Sequence, residues 1–239
     1  MDVVVLQHIA CEPPGEYETV LRELGANLHR VELDEGDPLP ALGMFDAIIA
    51  MGGPMSVNDD DDLPWLTAEK RLIGEAVRAG VPYFGACLGV QLLAASLGAR
   101  VYPGPEPEVG VLPVTLTAEG AADPIFAGLP PSFPTLQWHG DTFDLPAGAT
   151  LLASSPACPH QAFRFGRLAY GVQFHVEVLP AMAREWAQVP EYVGYADRVL
   201  GDGGMERLLA EFDAAEAGMR STGRSMFARW AELAVPVAR

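Results

Sequence analysis

Val81-Pro82-Tyr83-Phe84-Gly85-Ala86-Cys87-Leu88-Gly89-Val90-Gln91-Leu92-Leu93-Ala94-Ala95-Ser96-Leu97-Gly98 changes its period at a thiol. An apolar run with the character of a buried strand breaks between Gly85 and Gly89, and helical spacing takes over beyond it. The stretch therefore predicts a strand, a sharp turn and a helix, with Cys87 at the turn. Small residues on both flanks let the chain bend tightly, and a helix that begins directly after the thiol turns its positive end toward the sulfur, which favours thiolate. Cys87 is the candidate nucleophile. A cysteine among apolar neighbours is otherwise a small buried hydrophobe, so a second feature has to support the reading. Tyr170-Gly171-Val172-Gln173-Phe174-His175-Val176-Glu177-Val178 supplies it. The segment alternates like a strand, and a period of two puts His175 and Glu177 on one face, a base with its orienting carboxylate.

Working outward, Val3 to Gln7, Leu28 to Leu33 and Phe45 to Met51 read as strands. Gly15 to Leu24 reads as a helix stopped by Gly25, and Thr67 to Ala79 as a helix capped by Thr67 and ended at Gly80. Continuous apolar strands alternating with helices predict an α/β fold with a mostly parallel open sheet in three layers. After Gly98 the candidates shorten: Val111 to Thr117, Leu136 to Trp138, Leu151 to Ser154, Ala162 to Phe165 and Leu168 to Phe174, the last two joined as a hairpin at Gly166-Arg167. From Pro180 the chain turns helical again, with Met205 to Met219 and a last segment from Met226 to Leu233 expected to pack on the sheet. The expected organisation is one domain over 1–239, with a catalytic core over 1–185 and a helical extension over 186–239.

At 239 residues, 49% hydrophobic and 20% charged, the composition is that of a soluble globular protein with one large core. A formal net charge of −17 repels phosphate backbones and anionic membrane surfaces, and no cluster of Lys and Arg offers a local exception. Neither nucleic acid nor membrane is an expected partner. No apolar run approaches the roughly 18 residues that would span a bilayer. The first residues carry no leader pattern, and Cys11, Cys87 and Cys158 cannot all pair within the chain. A reduced, cytoplasmic location is expected. The five histidines are dispersed, Cys-x-x-Cys and His-Glu-x-x-His patterns are missing, and neither common nucleotide-binding loop occurs. The expectation is no metal and no cofactor. Cys11 and Cys158 read as structural, and His8 has no assigned role. Asn58-Asp59-Asp60-Asp61-Asp62 reads as a solvated loop whose one functional use would be to exclude anionic ligands near Cys87.

Three motifs then stand in order: Met51-Gly52-Gly53-Pro54 after a buried strand, Gly85-Ala86-Cys87-Leu88-Gly89-Val90-Gln91 at the elbow, and Gln173-Phe174-His175-Val176-Glu177 beyond. In these the chain resembles the class I glutamine amidotransferases, nearest to the glutaminase domain of GMP synthase and its stand-alone relatives. The resemblance covers nearly the whole chain and implies a flavodoxin-like open sheet. It implies Cys87 as nucleophile, His175 as general base and acid, and Glu177 as the group that holds the imidazole. The oxyanion would be met by the backbone N–H of Leu88 and of Gly53, with Gly52 the alternative. Gln91, one helical turn past Cys87, would contact the substrate. Gln137-Trp138-His139-Gly140-Asp141 resembles the family's Ser-His-Gly-Asp stretch, which implies His139, Gly140 and Asp141 at the substrate's amino-acid end; Trp138 departs from the pattern.

The implied reaction is hydrolysis of L-glutamine or another γ-glutamyl compound through a γ-glutamyl thioester. A Ser-Gly-Gly-x-Asp-Ser loop for ATP is missing, so ammonia would pass to a separate synthetase subunit. The alternatives are a γ-glutamyl peptidase acting on glutathione-like or γ-glutamylated compounds, and a binding module without turnover on the same fold. A homodimer is the assembly to look for.

Overall fold

The structure is a computed structural model that describes residues 1–234. Its elements in chain order are β1 (Asp2–Gln7), α1 (Glu16–Glu23), β2 (Asn27–Glu32), β3 (Ala47–Ala50), α2 (Trp65–Arg78), β4 (Tyr83–Ala86), α3 (Leu88–Ser96) and β5 (Val101–Leu116). There follow α4 (Ala118–Ala122), β6 (Ser132–Phe143), β7 (Ala149–Ser154), β8 (Ala162–Phe165), β9 (Ala169–Val172), α5 (Pro180–Trp186), α6 (Pro190–Leu200) and α7 (Gly204–Ala234).

All nine strands join one sheet in the order β2-β1-β3-β4-β9-β8-β7-β5-β6. From β2 to β9 neighbours are parallel; from β9 to β6 they are antiparallel. The change of sequence texture after Gly98 is this switch. Strands buried on both faces read as unbroken apolar runs, whereas antiparallel strands with a solvated face are shorter and mixed.

The alternation along β1 shows why the sheet has two cores. Val3 and Val5 point into one cluster with Ala47, Ile49, Phe84, Tyr17 of α1 and Phe227 and Trp230 of α7. Val4 and Leu6 point into the other with Ile48, Ala50, Ile73 of α2 and Leu92 of α3. Helices thus cover both faces of the parallel half, the three-layer α/β arrangement the sequence predicts. Helix α7 crosses behind the sheet, tied down where Arg224 Nη1 lies 2.8 Å from buried Glu16 Oε1 and where the Trp230 indole donates to Leu168 O at 3.1 Å.

Some boundaries differ from the sequence reading. Helix α2 begins at Trp65 on a Pro64 cap; Thr67 lies inside its first turn and donates to Asp60 Oδ1 at 2.6 Å instead of capping. The last two helical segments are one helix, α7, because glycines at 218 and 223 sit within it without breaking it. The aspartate tract is a loop, with Asp60 held by Lys70 Nζ at 2.7 Å. None of Asp59 to Asp62 lines the cavity at Cys87, but Asp59 Oδ2 accepts at 2.8 Å from the backbone N–H of Ser56, which does.

Candidate active site

Strands β4 and β9 are parallel neighbours, with Ala86 opposite Val172. Their C-terminal ends therefore open at the same edge of the sheet, the usual location of sites in such folds. Cys87 follows β4 directly and His175 lies three residues past β9. At the turn Cys87 adopts φ 52° and ψ −109°, and among the described residues it is the one non-glycine with positive φ. Such strain persists only where the surroundings over-determine it. The Cys87 amide donates to Val172 O at 2.9 Å, and α3 begins at the next residue. A Cβ on Gly85 would lie 2.5 Å from the Gly89 backbone, and one on Gly89 would lie 2.1 Å from Ala50 O. Both glycines are required for α3 to close on β3 and β4.

His175 is held from two sides. Its backbone exchanges hydrogen bonds with Leu136 of β6 at 2.8 and 3.0 Å, and its Nδ1 lies 2.6 Å from Glu177 Oε1. The second carboxylate oxygen of Glu177 accepts from Val176 N at 2.9 Å, and its backbone carbonyl accepts from Glu16 N at the start of α1 at 2.9 Å. His175 and Glu177 are both buried. Burial works against a charge on the imidazole, but Glu177 and a hydrogen bond with the Cys87 thiol outweigh it, so the His175 pKa is raised well above the ordinary value. An imidazolium beside the sulfur is the arrangement that stabilises thiolate.

Cys87 lines a cavity of about 370 Å³ together with His175, Gly53, Leu88, Gln91, His139, Gly140 and Asp141. Of the residues expected at the site, those eight share one space. Glu177 stands behind His175 and Gly52 beside the cavity, where its carbonyl accepts from His8 Nδ1 at 3.2 Å. His8 in turn meets Glu69 at 2.9 Å; burial opposes its charge, and Glu69 more than compensates, so its pKa is raised. Trp138 lines the cavity too, and its carbonyl faces the Cys87 thiol at 3.8 Å.

Several lining or supporting groups were missed in the sequence. Gln173 is fully buried and donates to Cys87 Sγ at 3.7 Å while accepting from Gln91 at 3.1 Å. It lies two residues before His175, so the same alternation that paired His175 with Glu177 carried its signal. Glu12, Trp186, Tyr192 and Tyr195 also line the cavity. They come from the loop after β1 and from α5 and α6, and no local spacing links them to Cys87.

The dispersed histidines concealed a further grouping. The ligand-type atoms of Glu108, His139 and Cys158 lie within 4.8 Å of one another, all three residues buried. Carboxylate, imidazole and thiol are donors that zinc accepts; the three sit on β5, β6 and the loop before β8, so only folding joins them. His139 Nε2 approaches Glu108 Oε2 to 3.2 Å without the alignment of a hydrogen bond. Glu108 itself accepts from Ser155 and Gln161, each at 2.7 Å.

The family model for class-I glutamine amidotransferases matches residues 17–185. The chain belongs to this family. The glutamine amidotransferase-like protein YfeJ of Salmonella typhimurium is 35% identical over 181 residues, covering 74% of this amidotransferase and 76% of YfeJ. The glutamine-hydrolyzing GMP synthase of Thermomicrobium roseum is 41% identical over 132 residues, which are 55% of this chain but 23% of that enzyme. The crystal structure of a glutamine amidotransferase from Thermotoga maritima superposes with a TM-score of 0.86 at 30% identity, over 97% of this chain and 98% of that one. One from Methylobacillus flagellatus gives 0.87 at 28%, over 100% and 97%. Among the described residues, no helix is long and apolar enough to cross a membrane.

Proposed function

We propose that this amidotransferase hydrolyses a γ-glutamyl amide through a covalent thioester, with Cys87, His175 and Glu177 as its triad. The observation that carries the reading is the strained elbow at Cys87 opening into the same cavity as His175, whose far nitrogen is bound by Glu177. In the first step the Cys87 thiolate attacks the γ-carbonyl carbon. Negative charge moves to the carbonyl oxygen, toward the backbone N–H groups of Leu88 and Gly53. The intermediate collapses as imidazolium His175 gives its proton to the leaving nitrogen, releasing ammonia or an amine and leaving the γ-glutamyl thioester. Neutral His175 then takes a proton from water, the hydroxide adds to the thioester, and glutamate and thiolate are regenerated. Glu177 stays ionised throughout and holds the ring in the tautomer with Nδ1–H.

Substrate recognition at the amino-acid end is assigned to Gln91 and to the segment His139 to Asp141. In this reading L-glutamine and other γ-glutamyl amides share the nucleophile, and ammonia released from glutamine would pass to a synthetase. The test is to measure glutamate and amine release from L-glutamine, glutathione and γ-glutamyl alkylamides, with wild type beside Cys87→Ala. Cys87-dependent release of glutamate from at least one of them supports the proposal. Equal rates in the two proteins would refute it.

A further inference from the structure

Glu12 has no part in the chemistry proposed above, yet it is buried in the wall of the reaction cavity at 6% exposure. Its Oε1 accepts a hydrogen bond from the Tyr192 hydroxyl of α6. Its Oε2 and His175 Cε1 crowd the same point, 1.9 and 3.3 Å from where a Cβ on Gly52 would stand. Glu12 is therefore at the His175 side of the site. The leaving nitrogen receives its proton from His175, so whatever is bonded to that nitrogen must extend toward this side.

The surroundings of Glu12 describe the group it would meet. No Lys or Arg among the described residues pairs with it. A buried carboxylate with no Lys or Arg beside it is costly, and burial pushes its pKa up, against the opposing pull of His175 and of the Tyr192 hydrogen bond. Three aromatic rings share this wall: Trp186 lies edge-on to Trp138 and Tyr192 with centroids 5.6 and 5.8 Å apart, and Trp138 and Tyr192 are 5.7 Å apart. The Trp186 N–H is already given to Cys11 O at 2.9 Å, so what the indole offers the cavity is its ring. Aromatic faces around a carboxylate attract an organic cation through the ring quadrupole and direct charge pairing. The cavity, about 370 Å³, runs from Gln91 and the segment His139 to Asp141 on one side to Glu12, Trp186 and Tyr192 on the other, so it offers a place beyond the γ-glutamyl group.

We infer that Glu12, Tyr192, Trp186 and Trp138 form a subsite for a cationic leaving amine, and that the preferred substrates are γ-glutamyl amides of diamines. The inference rests on the proposed γ-glutamyl amide hydrolysis and specifies its substrate class. Hydrolysis consumes the amide and one water and yields glutamate and a free diamine, whose distal ammonium remains bound by Glu12 until release.

The test compares the mono-γ-glutamyl amide of 1,4-diaminobutane with the neutral γ-glutamyl pentylamide of the same length. Wild type is expected to favour the cationic amide by about tenfold in kcat/KM, and Glu12→Gln to bring the ratio close to one. A ratio of one or below in wild type, or an unchanged ratio in Glu12→Gln, overturns the inference. Tyr192→Phe, which keeps the ring and removes the hydrogen bond to the carboxylate, is expected to reduce the ratio and serves as the readout if Glu12→Gln does not fold. Should neither amide be cleaved while L-glutamine or glutathione is, the preferred-substrate inference fails and the hydrolysis proposal stands; should none of these compounds be cleaved, the hydrolysis proposal fails by itself. The subsite is then read by calorimetric titration of both amides into Cys87→Ala protein, where tighter binding of the cationic one supports it and equal binding rejects it.

Discussion

Glu177→Gln preserves volume and shape while removing one charge, and the structure dictates how the amide must sit. The Val176 N–H, buried beside the carboxylate, needs an acceptor at the Oε2 position, 2.9 Å away. The new carbonyl oxygen takes that place, because leaving the buried N–H unpaired costs about 1–3 kcal/mol. The NH2 group is then presented to His175 Nδ1, where Glu177 Oε1 stood at 2.6 Å. Nδ1 must accept, the proton moves to Nε2, and the ring can no longer take a proton from Cys87 or water. A wrong tautomer of this kind costs on the order of 10⁴ in kcat in a serine triad, and a loss of that order is expected here. Loss of the charge also removes the attraction that chiefly opposes burial of the imidazolium, so the His175 pKa should fall from its raised value toward or below the ordinary one. Turnover of the best γ-glutamyl amide and NMR titration of the His175 ring give the two readouts. A variant with near wild-type turnover, or with His175 still titrating far above the ordinary range, would refute the assigned role of Glu177.

Other consequences concern stability. Cys87→Gly abolishes hydrolysis yet relieves a positive φ, so urea denaturation should show it more stable by about 1 kcal/mol; a destabilised variant would show that the turn is not strained. Gly89→Ala places a methyl 2.1 Å from Ala50 O and should cost about 1–3 kcal/mol, whereas Gly218→Ala in α7 meets nothing within 4 Å and should gain up to about 1 kcal/mol. Similar effects from both would contradict the tight packing of α3. The raised pKa values of His175 and His8 mean that the folded state holds their protons more tightly than the unfolded chain does. Their contribution is complete below about pH 6.5 and is lost as pH rises through the folded values. The raised carboxyl of Glu12 acts in the same direction. The denaturation midpoint should therefore fall between pH 6 and 9, and a rising midpoint would oppose this assignment.

What could be read from the chain depended on how locally each feature is encoded. The elbow is legible because the apolar period changes within five residues, from Gly85 to Gly89, and because each glycine there answers a backbone contact in the fold. His175 and Glu177 are legible because a strand's period of two survives the end of β9. The antiparallel half was legible as a row of short strands but not as an order, since β5 and β6 pair across long separations and β5 extends ten residues further toward its N-terminus than its apolar pattern. Glu12 and Tyr192 were not legible, for they are 180 positions apart and meet only when α6 folds over the cavity. The Glu108, His139 and Cys158 group was concealed for the same reason.

The most direct test of the central claim is labelling with a γ-glutamyl chloroketone at neutral pH, read by peptide mass spectrometry. Burial and the neighbouring Glu12 push the Cys11 thiol up to about 11, and burial raises Cys158 as well, so neither supplies much thiolate. The account predicts a single modified site at Cys87, protected by excess γ-glutamyl amide. Modification spread over Cys11, Cys87 and Cys158, or modification that substrate does not slow, would contradict it.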